Sequence, residues 1–129
     1  MRITGDCPLV SYELADIIIE SHLKTGADAS FTRSPVALGI TSEIYKTSAV
    51  RKLRELFPTT DYSEYLILYF LNNPHIFNLN IVDAPIKFIS NWRLTLDEQT
   101  DLDLFNLLFK TLQVKKRPVS FDEVIDFFL

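Results

Sequence analysis

The chain has 129 residues and is acidic, with a formal net charge of −4 and a pI near 5.1, which argues against the basic surface of a nucleic-acid-binding domain. Its hydrophobic fraction of 47% with only three glycines excludes a disordered tail, and its single cysteine excludes an internal disulfide and a thiolate-rich zinc site. No apolar run approaches the roughly 20 residues that span a bilayer. We therefore expect one cytoplasmic domain over residues 1–129, with no nucleic-acid or membrane partner.

The amino-terminal part predicts a strand followed by a helix. Residues 2–4 form a short β-branched run that stops at Gly5. Ser11 can cap the next helix, Glu13 suits its first turn, and Gly26 supplies a left-handed stop. One predicted apolar face of this helix comprises Leu14, Ile17, Ile18 and Leu23.

Two further strands and a short helix are predicted next. Residues 27–33 and 42–45 are typical of strands. Thr47 or Ser48 can cap a helix that ends at Leu56, shortly before a proline.

The second half of the chain continues this alternation. Residues 61–73 open with an aspartate cap and run apolar, which we interpret as a buried helix; a strand is the alternative, since periodicity cannot resolve a continuous apolar run. Residues 76–82 and 92–95 are predicted strands, and 98–112 an amphipathic helix. The predicted apolar face of that helix comprises Leu102, Phe105, Leu108 and Phe109. A capping box at 120–123 starts the last helix.

Alternating strands and helices indicate an α/β domain with a mainly parallel sheet flanked by helices. Ligands of such sheets bind beyond the carboxyl ends of the strands. Asp6 and Asp97 follow two predicted strands that are far apart in the sequence. Two carboxylates brought together in this way are a common arrangement for holding Mg²⁺ over phosphates.

Each candidate residue also has a structural interpretation. Asp6 suits a simple Asx turn, and Asp97 suits the N-cap of the helix that follows, a role compatible with metal binding. Asp101 lies near the start of the predicted helix, where its negative charge favours the helix dipole, so we interpret it as a structural residue. Arg93 could face a phosphate or a sugar carboxylate, or solvent from a surface strand. Cys7 is most simply a small buried residue, and the two histidines have no metal-ligand spacing.

Six short stretches form an ordered set along the chain. They read GDCPL, GADA, GITSEIY, SEYLILYF, WRLTLDEQTDL and SFDEVIDFFL. The set resembles the cytidylyltransferases that make CMP-activated acid sugars, of the acylneuraminate and 3-deoxy-manno-octulosonate type. Within that family it is most similar to the branch named after spore-coat polysaccharide biosynthesis, which has a Gly-Leu-Asp-Val-Glu-Val-Phe-like stretch where this chain has GITSEIY. The resemblance extends from about Arg2 to Leu129.

The resemblance implies a sheet of the glycosyltransferase-A type, as in nucleotide-diphospho-sugar transferases, and transfer of CMP from CTP to an acid sugar with release of pyrophosphate. The family's two metal-ligating carboxylates correspond to Asp6 and Asp97, with Mg²⁺ as the cofactor. Glu43 and Arg93 are the weaker candidates, as contacts to the substrate. The resemblance implies no residue of this chain as a catalytic acid, base or nucleophile.

The chain also departs from the family pattern. The glycine-rich, basic nucleotide-binding loop that precedes the GDCP strand in the family is absent from these residues. Thr41 stands at the family's aspartate, Tyr65 at its histidine and Ile67 at its threonine. We therefore expect the carboxyl-terminal portion of a cytidylyltransferase-like domain, with an unpaired edge beside residues 2–4. A homo-oligomer, or a partner supplying the missing half of the sheet, would cover that edge.

Three functions remain open at this point. The first is the metal- and sugar-side part of a CMP-sugar cytidylyltransferase. The second is a non-catalytic interaction or oligomerisation module that retains the fold, and the third is a sugar-nucleotide-binding relative without turnover.

Overall fold

The structure, a computed structural model, describes residues 1–33, 35–59 and 63–129. Its strands are β1 (Ala29–Thr32), β2 (Ile44–Tyr45) and β3 (Leu79–Val82). Its α-helices are α1 (Tyr12–Thr25), α2 (Thr47–Leu56), α3 (Leu66–Leu71), α4 (Gln99–Thr111) and α5 (Phe121–Phe128). Two short 3₁₀ turns cover Ser63–Tyr65 and Ile86–Phe88.

The sheet has the order β2-β1-β3, with α1 packed against it. Strand β1 pairs in parallel with β3, so that Ala29 lies opposite Leu79. It pairs antiparallel with β2, where Ala29 lies opposite Tyr45. The α/β class, with helices flanking a small sheet, is confirmed. The sheet is mixed rather than mainly parallel, because residues 35–43, in the link from β1 to β2, include no helix of the kind that a parallel crossover uses.

Two predicted strands are extended segments without a regular ladder. Arg2 makes an isolated antiparallel bridge to Glu43, and Arg93 makes a parallel bridge to Leu38. The first segment ends in a turn in which the Cys7 amide donates to the Thr4 carbonyl at 3.3 Å. The second pairs with Leu38, and the next residue, Gly39, has a φ of 93°, outside the extended conformation of a strand. Prediction of regular strands at 2–4 and 92–95 was therefore wrong, although both segments do pair.

The predicted caps at both ends of α1 and at the start of α5 are confirmed. Ser11 Oγ accepts the Leu14 amide at 3.2 Å, and Gly26 adopts the left-handed conformation with a φ of 62°. Ser120 and Glu123 form the predicted capping box of α5. Leu23 was wrongly placed on the apolar face of α1, because it is 75% exposed.

Helices α2 and α3 depart from prediction in detail. The N-cap of α2 is Lys46 rather than Thr47 or Ser48, and it makes no side-chain capping bond. Residues 66–71 are helical as expected, but α3 is not a buried helix, because Phe70 alone among its residues is fully buried. The predicted aspartate cap, Asp61, lies outside the described residues.

Two apolar clusters form the core. The larger one lies between α1, α4, α5 and the loops, and includes Phe88, Leu94, Phe105, Leu108, Phe121 and Val124. The smaller one lies under α2 and α3, and includes Ala49, Leu53, Phe70 and Phe77. Within the described ranges, no helix has the length and apolarity that crossing a membrane would require.

Candidate functional site

A cleft of about 500 Å³ lies where three separate segments of the chain meet. Its walls come from residues 2–7, 38–43 and 95–97, with Glu64 and Tyr65 also contributing. Three of the four predicted site residues, Asp6, Glu43 and Asp97, line it together. An apolar groove of about 410 Å³ between α2 and α3 lies elsewhere, and no carboxylate of the described residues lines it.

The backbone brings Asp6 and Asp97 to the same cleft. The Leu96 amide donates to the Asp6 carbonyl at 2.7 Å, so the residue beside Asp97 is fixed to Asp6 itself. Both carboxylates are exposed. A hydrogen bond from the Thr4 side chain is the main cause that lowers the pKa of Asp6 below its ordinary value, and this carboxylate is therefore ionised at neutral pH.

Asp97 is held by two donors on one side. Thr95 Oγ1 donates to Asp97 Oδ2 at 2.6 Å, and Arg93 Nη1 donates to the same oxygen at 2.9 Å. Among the described residues, Oδ1 of Asp97 accepts no hydrogen bond, so it is available to a ligand.

The helix that follows is capped by other residues. Glu98, not Asp97, is the N-cap of α4, and Glu98 and Asp101 form a capping box. Asp101 Oδ2 accepts the amides of Asp97 and Glu98, each at 2.9 Å. The bond from the Asp97 amide is the main cause that lowers the pKa of Asp101. The structural role predicted for Asp101 is confirmed, and the N-cap role predicted for Asp97 is wrong.

Arg93 lies behind the cleft rather than in its lining. Its Nη1 also donates to Thr95 Oγ1 at 3.1 Å, and its Nη2 donates to Asp101 Oδ1. Its guanidinium therefore bridges Asp97 and Asp101. A direct contact from Arg93 to a substrate stays a prediction, and the observed bonds favour a role in orienting Asp97.

Glu43 is fixed at a different part of the cleft. Arg2 Nη1 donates to Glu43 Oε2 at 3.0 Å, and the Tyr45 hydroxyl donates to the same oxygen at 2.7 Å. Burial, with a further contribution from Glu43, raises the pKa of Tyr45 far above its ordinary value, so the phenol stays protonated. The Arg2 side chain also donates to the Glu64 carbonyl at 2.6 Å, and this bond holds the segment that contains Glu64 and Tyr65 at the cleft.

Sequence reasoning missed the two partners of Glu43. Residues two apart on an extended segment share a face, so Tyr45 could have been placed beside Glu43 from the pattern alone. Arg2 could not, because its contact with Glu43 bridges distant parts of the chain. Cys7 also lines the cleft; burial raises the pKa of its thiol, and the charges of Asp6 and Asp97 raise it further.

The donor set fits a magnesium ion that is bound only partly by protein. In the described part of the chain, no group of three or more His, Cys, Asp or Glu side chains is arranged to hold a metal ion. Mg²⁺ prefers hard oxygen ligands and usually keeps several waters, and one or two carboxylates plus phosphates are enough to bind it. Asp6 and the available Oδ1 of Asp97 are oxygen donors of this kind and could hold such an ion.

Comparison with known proteins agrees with the motifs and the fold. The chain is 30% identical over 128 residues to the spore coat polysaccharide biosynthesis protein SpsF of Bacillus subtilis (strain 168), a match over 97% of this chain and 52% of SpsF. It is 31% identical over 118 residues to an uncharacterized protein of Methanocaldococcus jannaschii, a match over 83% of this chain and 48% of that protein. The chain thus spans about half the length of these relatives. No protein-family model matches it.

A solved structure supports the fold. The cytidylyltransferase from Leptospira borgpetersenii serovar Hardjo-bovis (strain JB197) superimposes with a TM-score of 0.80 at 21% identity. The match covers 98% of this chain and 53% of that protein. The similarity to SpsF and the shared fold support the resemblance to the CMP-sugar cytidylyltransferase family, and the chain corresponds to about half the length of these proteins.

Proposed function

We propose that the cleft is the metal- and sugar-binding part of an active site that transfers CMP from CTP to an acid sugar, in the cytoplasm. The observation that carries this proposal is the hydrogen bond from Leu96 to Asp6, which brings two carboxylates from distant parts of the sequence into one cleft. Similarity to SpsF supports a role in making a surface polysaccharide.

Asp6 and Asp97 would hold Mg²⁺. Bound there, the ion would neutralise charge on the phosphates and act as a Lewis acid. Other residues of the chain position the two carboxylates. A hydrogen bond from Thr4 keeps Asp6 ionised. Arg93 and Thr95 fix one oxygen of Asp97. Carboxylates that are already held in place need little reorganisation when the cation binds.

The cleft offers a second, separate end for the sugar. Arg2 and Glu43 exchange backbone hydrogen bonds of 2.7 and 3.2 Å, whereas Asp6 is bonded to Leu96. The segment from Arg2 to Asp6 can span at most about 14 Å, and its two ends bond to different segments of the cleft wall. We therefore place the phosphates at Asp6 and Asp97, and the sugar hydroxyls near Glu43.

Residues outside this chain would supply the contacts to cytosine and the triphosphate. The relatives are about twice as long, and the nucleotide-binding loop of the family has no counterpart in these residues. Ile3 is exposed beside the single bridge between Arg2 and Glu43, where an additional strand would find unpaired backbone groups. We propose that a second copy of this chain covers this edge, or that a segment carrying the loop covers it and supplies the nucleotide contacts.

Calorimetric titration with Mg²⁺, alone and with CTP, tests the proposal. The wild type is compared with Asp6→Asn, Asp97→Asn and the control Asp103→Asn, which changes an exposed residue on α4 outside the cleft. We expect Mg²⁺ binding that is lost in the first two variants and retained in the control. Pyrophosphate release on adding an acid sugar would then show turnover.

The alternative is a non-catalytic module that retains the fold. The replacement of family residues at Thr41, Tyr65 and Ile67 favours this alternative. A folded protein that binds no Mg²⁺ with or without CTP would contradict the enzymatic proposal and support the module.

A further inference from the structure

Thr95 is a buried residue in the wall of the cleft whose hydroxyl group holds Asp97. The residue is 7% exposed and lines the cleft together with Asp97. Its Oγ1 donates to Asp97 Oδ2 at 2.6 Å, which is the shorter of the two side-chain hydrogen bonds that this oxygen accepts. Hydrogen bonds to a charged group are stronger than those between neutral groups, so the bond restrains the carboxylate.

The direction of this hydrogen bond is set by its neighbours. Arg93 Nη1 donates to Thr95 Oγ1 at 3.1 Å, and a guanidinium can only donate. The single proton of the Thr95 hydroxyl is therefore left for Asp97, whose carboxylate accepts it. Arg93 also donates to Asp97 directly, but the two side chains of that ion pair are 44% and 53% exposed, and exposed ion pairs contribute little. Thr95 is thus the less exposed of the two donors to Asp97 Oδ2.

The methyl group of Thr95 holds the side chain in this orientation. A Cβ added at Gly39 would lie 3.1 Å from Thr95 Cγ2 and 2.4 Å from the Leu94 carbonyl oxygen, so the Gly39 backbone packs directly against this segment. The Leu94 amide also donates to the Leu38 carbonyl at 2.8 Å, which fixes the backbone on both sides of the contact. A β-branched side chain has few favourable rotamers. The observed one places the methyl group against Gly39 and the hydroxyl against Asp97.

Asp97 is left with one oxygen that can bind a cation. Its Oδ2 accepts both side-chain bonds, whereas Oδ1 accepts none among the described residues. Mg²⁺ requires nearly ideal octahedral geometry with short bonds to oxygen, which a single fixed oxygen suits. Ca²⁺ takes more ligands at longer and more variable distances, and it can be bound by both oxygens of one carboxylate. A carboxylate with one oxygen already occupied therefore suits Mg²⁺ better than Ca²⁺.

We infer that Thr95 is a positioning residue that makes the proposed metal site selective for Mg²⁺ over Ca²⁺. By occupying Oδ2, its hydroxyl limits Asp97 to binding the cation through one oxygen, and Gly39 keeps the hydroxyl in that position. This inference rests on the proposed function, because it assumes that Asp6 and Asp97 hold the cation. It adds which divalent cation the site prefers and which residue outside the ligand pair sets that preference.

Calorimetric titration of the full chain with Mg²⁺ and, separately, with Ca²⁺ tests this inference. The proteins are the wild type, Thr95→Val, Thr95→Ser and the control Thr111→Val, which changes an exposed residue on α4. Valine has nearly the shape of threonine but donates no hydrogen bond, whereas serine keeps the hydroxyl and loses the methyl group. We expect Thr95→Val to lower the ratio of Mg²⁺ affinity to Ca²⁺ affinity about tenfold, through the loss of one bond to a charged group.

The other variants separate a change at the site from a change in folding. Thr95→Ser should keep a ratio close to that of the wild type, and Thr111→Val should leave the ratio unchanged. A variant that is merely less stable loses affinity for both cations alike, so its ratio does not move. The melting temperature of Thr95→Val without metal should stay near that of the wild type, since the carboxylate that loses a bond is exposed to water.

The inference is overturned if Thr95→Val keeps the wild-type ratio, if Thr95→Ser loses the preference to the same extent, or if the wild type binds Ca²⁺ as tightly as Mg²⁺. A Thr95→Val protein that melts far below the wild type would overturn it too, by showing that the hydroxyl serves the fold. In all these cases, loss of Mg²⁺ binding in Asp6→Asn and Asp97→Asn would still support the proposed function. A wild type that binds neither cation would overturn the inference and contradict the proposed function as well.

Discussion

Arg93 and Asp101 form an ion pair that joins the segment before α4 to the first turn of that helix. The same guanidinium holds Asp97 through its other nitrogen, at 2.9 Å. Asp101 in turn accepts the Asp97 amide. Asp97 is therefore fixed through both its side chain and its backbone. Arg93, which the sequence suggested as a substrate contact, supports the proposed metal ligand Asp97 instead.

Arg93→Lys is expected to weaken Mg²⁺ binding about tenfold. Lysine keeps the positive charge but has a single ammonium group, which cannot bond Asp97 and Asp101 in the geometry of the guanidinium fork. Calorimetry with Mg²⁺ measures the change in the absence of any sugar, so a loss there reports on the position of Asp97. Arg51→Lys, at an exposed position on α2, is the control. Unchanged Mg²⁺ affinity in Arg93→Lys would show that Arg93 does not support the site.

Gly39→Ala is expected to destabilise the fold by more than about 2 kcal/mol. Gly39 has a φ of 93°, and an added Cβ would lie 2.4 Å from the Leu94 carbonyl oxygen. Gly26→Ala is the matched comparison, since Gly26 also has a positive φ but nothing lies within 4 Å of its added Cβ. It should cost about 1 kcal/mol. Urea denaturation measures both, and equal losses would show that the contact with Leu94 is not what excludes a side chain at Gly39.

The parts of the fold that could be predicted are those with local signals. The ends of α1 follow from Ser11 and Gly26, and the start of α5 follows from Ser120 and Glu123, because each signal is a bond between residues close in sequence. The pairing of β2 with β1 could not be predicted in its direction. It depends on how the chain between them packs, and residues 35–43 form no regular element.

The candidate site could be predicted only in part, because several of its contacts join segments that are distant in the sequence. Asp6 and Asp97 were identified from their positions after two predicted strands and from a family resemblance, and the structure brings both to one cleft. The burial of Ser42 and the contact between Arg2 and Glu43 depend on distant segments, and no local pattern encodes them. Arg93 illustrates the limit most directly: its position in the motif is clear from the sequence, but its partners Asp97 and Asp101 are defined only once α4 is in place.

Glu123→Gln is expected to remove part of the acid sensitivity of the fold. Arg117 donates to both carboxylate oxygens of Glu123, at 2.7 and 2.9 Å, and this ion pair is the main cause that lowers the pKa of Glu123 from 4.5 to about 2. Because the folded-state pKa lies below the ordinary value, the ionised group stabilises the fold above pH 4.5, and that contribution is lost as the pH falls towards 2.

Urea denaturation between pH 2 and 7 measures this effect. The stability difference between the wild type and Glu123→Gln should be largest at neutral pH and should shrink as the pH falls from 4.5 towards 2. Glu20→Gln, an exposed residue on α1, should show no such trend. A difference between wild type and Glu123→Gln that stays constant over this range would contradict the assignment.

A buried polar network connects α1 to the sheet and includes His22. Ser30 Oγ is 2.8 Å from His22 Nδ1 and accepts Asn80 Nδ2 at 3.1 Å. The amide of Asn80 also donates to Ser21 Oγ at 2.9 Å. Since the amide nitrogen only donates, the Ser30 hydroxyl is free to donate to Nδ1, which is possible only when that nitrogen carries no proton.

His22 is therefore expected to make the fold less stable as the pH falls below 6.5. Burial, aided by the positive charge of Lys46, lowers the pKa of His22 below its ordinary value of 6.5, although Asp28 opposes the shift. The unfolded chain then takes up the proton first, so the stabilising contribution is complete above pH 6.5 and is lost as the pH falls through the folded-state pKa. His22→Gln, neutral at every pH, should flatten the dependence of stability on pH between 7 and 5, whereas His75→Gln, at an exposed position, should leave it unchanged. An NMR titration midpoint for His22 at or above 6.5 would contradict this expectation.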